Sequence, residues 1–119
     1  MASTETTPIR GEVWLVAFGA ARRGEPDRNR PAIIVSADHL SRGTVTDLTA
    51  VVPLSSTLAP SALRPEVSAA AGVERPSRAI CRAVRGVAAT RVLRRLGALE
   101  SRTLGEVERA LALILGIDA

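Results

Sequence analysis

The sequence predicts an α+β fold: a small twisted β-barrel with one amphipathic helix at its C-terminal end. Three observations lead there. Short apolar runs rich in β-branched residues recur between residues 12 and 99. Loops bearing Gly and Pro separate them, and the chain closes on a single stretch whose apolar residues recur three and four apart. The length of 119 residues, 46% apolar and 24% charged, suits one globular domain rather than a disordered chain. Residues 1–8 read as a flexible polar leader ending at Pro8, and residues 9–119 as the domain.

Residues 12–18, EVWLVAF, are too short for a buried helix and predict a core strand. The following stretch, GAARRGEPDRNRP at 19–31, is a loop long enough to suggest a functional role. Pro31 is expected to open a second strand, AIIVS at 32–36, because a first position needs no ladder donor. A third strand is expected over TAVVPL at 49–54, with Pro53 marking a sheet edge or the strand's end. The Ser-, Ala- and Pro-rich stretch 55–78 leaves room for a short strand near Glu66–Ser68. Residues 79–88, AICRAVRGVA, alternate in part and predict one long strand with Cys81 in its middle. Thr90 is placed to cap a short helical turn ending at Gly97, with Leu96–Leu99 as a last short strand. For the final helix, Ser101 is the expected N-cap. Leu104, Val107, Leu111 and Ile114 form its apolar stripe, and Gly116 stands just past its end.

Composition removes whole classes of function. No apolar run reaches the roughly 18 residues of a transmembrane helix, and the first residues lack a signal peptide's apolar middle. Cys81 is the single cysteine and His39 the single histidine, so an internal disulfide, zinc spacings and a Ser-His-Asp triad have no material. A cytoplasmic protein without metal or cofactor is expected. The glycines form neither a dinucleotide fingerprint nor a P-loop. His39 reads as a loop residue, and a lone mid-strand cysteine ordinarily behaves as a small buried hydrophobe. All 16 basic residues are arginine, against 12 acidic ones, for a net charge of +4. A GC-rich genome writes Arg for Lys, and Arg forks also grip phosphate bidentately. With only Trp14 and Phe18 as aromatics, a generic base-stacking platform is out.

What remains is arginine, carboxylate and hydroxyl chemistry. Arg30 closes the long loop immediately before Pro31, which restricts its backbone to extended conformations. Ser55 and Ser56 emerge where the apolar strand AVVPL leaves the core.

In order along the chain stand RGEVWLVAF at 10–18, Gly24–Glu25 and NRPAIIVS at 29–36. VVPLSST at 51–57, CRAVRGVAATRVLRRLGAL at 81–99 and EVERALALILGI at 106–117 complete the series. Together they resemble the MazF/PemK family of toxin endoribonucleases from toxin–antitoxin pairs. The resemblance implies an SH3-like barrel with a terminal helix, active as a homodimer. It implies metal-independent cleavage of single-stranded RNA, leaving 2′,3′-cyclic phosphate and 5′-hydroxyl ends, with a cognate antitoxin whose acidic tail blocks the groove. On the same ground Arg30 matches the catalytic arginine. Ser55 falls where most relatives carry threonine, which keeps the hydroxyl and loses the methyl. Glu25, Arg28, Ser56 and Arg85 are the implied RNA-binding positions, and Ala83 replaces a polar residue frequent there. The proton acceptor for the 2′-hydroxyl stays unassigned, with Glu25 a candidate if its loop folds over the RNA. A second implication of the same barrel is a non-catalytic toxin that binds and inhibits DNA gyrase, since fold alone does not fix function.

Overall fold

The computed structural model describes residues 7–19, 29–38 and 48–117. They form a curled, seven-stranded antiparallel sheet and one terminal helix, the α+β barrel-like architecture expected. The strands are β1 (Glu12–Ala17), β2 (Asn29–Ile34), β3 (Leu48–Ser55), β4 (Glu66–Val67), β5 (Ser77–Ala79), β6 (Arg85–Ala88) and β7 (Val92–Ala98). The helix α1 spans Ser101–Leu115. The order is β4-β5-β3-β2-β1-β7, with β6 also pairing β3.

Side-chain alternation along the central strands supplies two buried layers. Val13, Ile33, Val52 and Leu54 face one way, into a cluster that includes Val107 and Ala110 of α1. Trp14, Val16, Ala32, Ile34, Val51 and Val87 face the other way and form a second cluster. Such two-sided burial explains why β1 and β2 read as nearly continuous apolar runs.

Three expectations are corrected. First, residues 79–88 are not one strand. β5 pairs with Leu54 and Ser55, and β6 with Leu48–Val51, so both use one side of β3 and the chain must pass over Val52 and Pro53 between them. Ile80 N–H donates to the Pro53 carbonyl at 2.8 Å, and a 3-10 turn at Cys81–Ala83 then carries the chain onward. Pro53 therefore lies inside β3, at the gap in its ladder rather than at the strand's end. Second, residues 92–97 are strand rather than helical turn: β7 pairs along β1, and only a 3-10 turn at Ala89–Arg91 precedes it. Two register shifts in that ladder break the alternation that would have marked it as a strand. Third, Glu100 rather than Ser101 is the N-cap, with no side-chain cap bond. Leu99 N–H donates to the Gly11 carbonyl at 2.9 Å, which keeps the chain extended up to the residue before the cap.

The helix otherwise follows its pattern. Val107 is fully buried, Leu111 and Ile114 pack against the core, and Gly116 ends the helix at φ 70°. Arg10 ties it to the sheet, donating to the Val35 carbonyl while pairing with Glu108.

The barrel closes where two glycines cross. A Cβ on Gly97 would lie 2.1 Å from the Ala71 carbonyl oxygen, and one on Gly72 would lie 2.1 Å from that of Leu96. The segment after β4 can therefore rest directly on the β7 backbone.

Candidate functional site

β2 begins at Asn29, two residues before Pro31, so Arg30 belongs to the strand instead of preceding it. Here β2 pairs with β1 only: Arg30 faces Val16 and Pro31 faces Leu15, whereas the ladder to β3 ends at Ala32↔Pro53. Pairing on one side is the setting in which a residue without an N–H is tolerated. Continuing the β2–β3 register by two residues sets Arg30 opposite Ser55, and alternation puts both on one face of the sheet. The two residues singled out from separate segments are thus brought together by strand pairing.

They line one groove of about 710 Å³ at this end of the barrel, together with Ser56 and Thr57. The Ser55 and Thr57 hydroxyls lie 3.1 Å apart, and Ser55 Oγ accepts from Thr57 N–H at 3.3 Å, which orients the serine oxygen. Three further charged side chains complete the lining: Glu74, Arg75 and Arg94. Three guanidiniums against one carboxylate give the groove a positive balance. With hydroxyl donors interleaved, the arrangement suits an anionic, phosphate-bearing ligand.

Arg85 does not join this group. It pairs with Val51 from β6, and its guanidinium lies 5.5 Å from the Phe18 ring centroid, within cation–π range. Glu25, Arg28 and His39 fall outside the described residues. Cys81 is buried in its 3-10 turn, and that burial pushes the thiol up to about 11, so no thiolate forms near neutral pH. Among the described residues no three His, Cys, Asp or Glu side chains cluster as metal ligands. Among the described residues no helix is long and apolar enough to cross a membrane.

Sequence reasoning missed Thr57, Glu74, Arg75 and Arg94. Thr57 lies two residues beyond Ser55 and was within reach of a close reading. Arg94 comes from β7, set opposite Leu15 by the β1–β7 ladder, and Glu74 and Arg75 from the segment that follows the crossing of Gly72 with Gly97.

A curled antiparallel sheet with a terminal helix and a basic, hydroxyl-lined groove at its strand ends defines a small α+β barrel-like protein. More particularly, residues 9–115 match the family model described as PemK-like, MazF-like toxin of type II toxin-antitoxin system, and the chain belongs to that family. A Mycobacterium tuberculosis protein named endoribonuclease MazF9 is 32% identical over 117 residues, covering 91% of this chain and 96% of the relative. The crystal structure of MazF from Deinococcus radiodurans superposes with a TM-score of 0.77 at 21% identity, covering 93% of this chain and 98% of that one. A mycobacterial endoribonuclease in complex with its cognate antitoxin gives 0.76 at 20% identity, covering 94% and 98%. At that identity the two structures show the shared fold.

Proposed function

We propose that this chain is the toxin of a type II toxin–antitoxin pair and acts as an endoribonuclease on single-stranded RNA. The observation that carries the reading is the meeting of Arg30 with Ser55 in one basic groove, in a chain of this family. The name of the mycobacterial relative supports it.

RNA brings its own nucleophile, the 2′-hydroxyl, so the protein needs to supply none. Attack on the adjacent phosphorus forms the 2′-O–P bond and builds negative charge on the non-bridging oxygens. The P–O5′ bond breaks, and the proton lost by the 2′-hydroxyl is balanced by the one the 5′-oxygen takes up. A fixed guanidinium from Arg30 and a hydroxyl from Ser55 stabilise that charge, the kind of term that often dominates catalysis. A guanidinium acts here as cation and hydrogen-bond donor rather than as base. The products are a 2′,3′-cyclic phosphate and a 5′-hydroxyl, and neither metal nor cofactor takes part.

Inhibition of translation and growth follows from loss of messenger. The cognate antitoxin, with an acidic tail, competes for the same arginine-lined groove. A homodimer is the working form. The exposed Leu113, Leu115 and Ile117 at the end of α1 support it, as apolar side chains suited to a second copy.

Incubating the purified protein with unstructured RNA and mapping the 5′-hydroxyl ends tests the activity. Cleavage at short sequences is expected, with single-stranded DNA of the same sequence left intact for want of the 2′-hydroxyl. Equal cutting of DNA overturns the chemistry. Intact RNA together with inhibited gyrase supercoiling would instead identify the gyrase-binding class.

A further inference from the structure

Glu74 is the one carboxylate among the described residues that line the groove, and its company is Arg30, Arg75 and Arg94. A negative charge there works against phosphate binding, so the ribonuclease reading alone leaves it unexplained. None of these arginines forms an ion pair with it among the described residues, so they do not occupy its acceptor positions. Its backbone is held on both sides. Ala71 and Val73 are buried, and Gly72 packs on β7 too closely to admit a Cβ. Downstream, the Ser77 hydroxyl donates to the Arg75 carbonyl at 3.1 Å. The Glu74 side chain itself is exposed. An exposed acceptor on an anchored wall is a preorganised reading position.

We propose that Glu74 determines sequence specificity by accepting hydrogen bonds from the Watson–Crick edge of one unpaired guanine beside the scissile phosphate. This rests on the ribonuclease reading above. An ionised carboxylate offers two acceptor oxygens and no donor. Among the four bases guanine alone presents two adjacent donor groups on that edge, N1–H and the 2-amino group. Adenine presents one donor beside one acceptor, cytosine one donor beside two acceptors, and uracil flanks its single N–H with two carbonyls. Single-stranded RNA exposes these edges, and proteins read them there.

The test is cleavage of a randomised single-stranded RNA pool by wild type and Glu74→Gln, with 5′-hydroxyl ends mapped and rates resolved by base at each position. Wild type is expected to favour guanine at one position next to the cut, and to lose that preference when inosine, which lacks the 2-amino group, replaces it. Glu74→Gln should lose roughly tenfold to a hundredfold of the guanine preference, the discrimination of one bidentate contact. Preference should move to adenine or cytosine, because an amide offers one acceptor and one donor. Arg30→Ala, run alongside, should lower the rate at every sequence alike. Base preferences of Glu74→Gln that superimpose on those of wild type overturn the inference, as does a wild type indifferent to guanine near the cut; both leave the ribonuclease reading standing. A wild type that cuts no RNA removes both.

Discussion

Two grooves of nearly equal size lie on this molecule, about 710 Å³ at the ends of β2 and β3 and about 730 Å³ between α1 and the segment before β4. Volume does not distinguish them; the use of their charges does. In the second groove Arg64 donates to the Ala59 carbonyl and Arg78 to that of Arg64, both at 3.0 Å, so two of its arginines serve the fold. Glu66, Glu100 and Glu106 line it with Arg64, Arg78, Arg102 and Arg109, so that positive and negative charge nearly balance. In the first groove three guanidiniums face a single carboxylate, and no hydrogen bond from the guanidinium of Arg30, Arg75 or Arg94 reaches another described residue. Among the described residues the first groove leaves all three of its guanidiniums free for a ligand, whereas the second ties two of its four to backbone carbonyls.

The sharpest way to break this contrast is to remove one cation from each groove. Arg30→Ala should lower RNA cleavage by at least roughly 10²–10³, the cost of losing one preorganised donor to developing charge. Arg109→Ala should stay within about twofold, as exposed side chains away from a site usually do. Similar losses from both variants in a quantitative cleavage assay would erase the distinction. Ser55→Ala should fall in the same direction as Arg30→Ala, with Ser55→Thr close to wild type because the hydroxyl is kept.

Next in size is the wall that completes the first groove. Gly97→Ala sets a methyl 2.1 Å from a backbone oxygen, so the 69–72 segment must move off β7. A loss of about 1–3 kcal/mol is expected, read as a Tm lowered by several degrees or more. RNA cleavage should fall with it, since Glu74 and Arg75 follow directly on that segment. An unchanged Tm would show that the crossing does not hold the wall.

The smallest effect concerns Glu12, at the start of β1 and outside both grooves. Burial by itself would raise its carboxyl. Donors outweigh that: Trp14 Nε1 at 3.0 Å, Arg95 Nε at 2.6 Å and the Ile9 N–H at 2.8 Å, together with the charge of Arg95, hold it below the ordinary value of 4.5. A carboxyl lowered on folding stabilises the protein fully above its unfolded-state value, and that contribution disappears as pH falls through the lower folded value. Acid melting curves should therefore show wild type losing stability below about pH 4.5 more steeply than Glu12→Gln. Parallel curves would remove the linkage.

Local periodicity made much of this molecule legible. β1 stands out as an apolar run, β4 as a short strand in a Ser-rich stretch, and α1 by the spacing of Leu104, Val107, Leu111 and Ile114. The break at Cys81–Ala83 was hidden, because it exists to step over Pro53, some thirty residues away in sequence. β7 was hidden too, since its side-chain alternation is interrupted by bulges whose cause lies in β1. In the site, Arg30 and Ser55 could be named from Pro31 and from the end of an apolar strand, strengthened by the order of motifs along the chain. Arg85 could be named equally well from its segment, yet it packs over Phe18 and not in the groove.

Residue order alone settled the helix, the central strands and the chemical inventory of arginine and hydroxyl, because each depends on neighbours a few positions apart. Register, and with it the meeting of Arg30 with Ser55 and the delivery of Glu74 and Arg94 to the same cavity, came only with folding. Those relations join segments tens of residues apart through backbone ladders and a glycine crossing, and no short window of sequence carries the energy of such contacts.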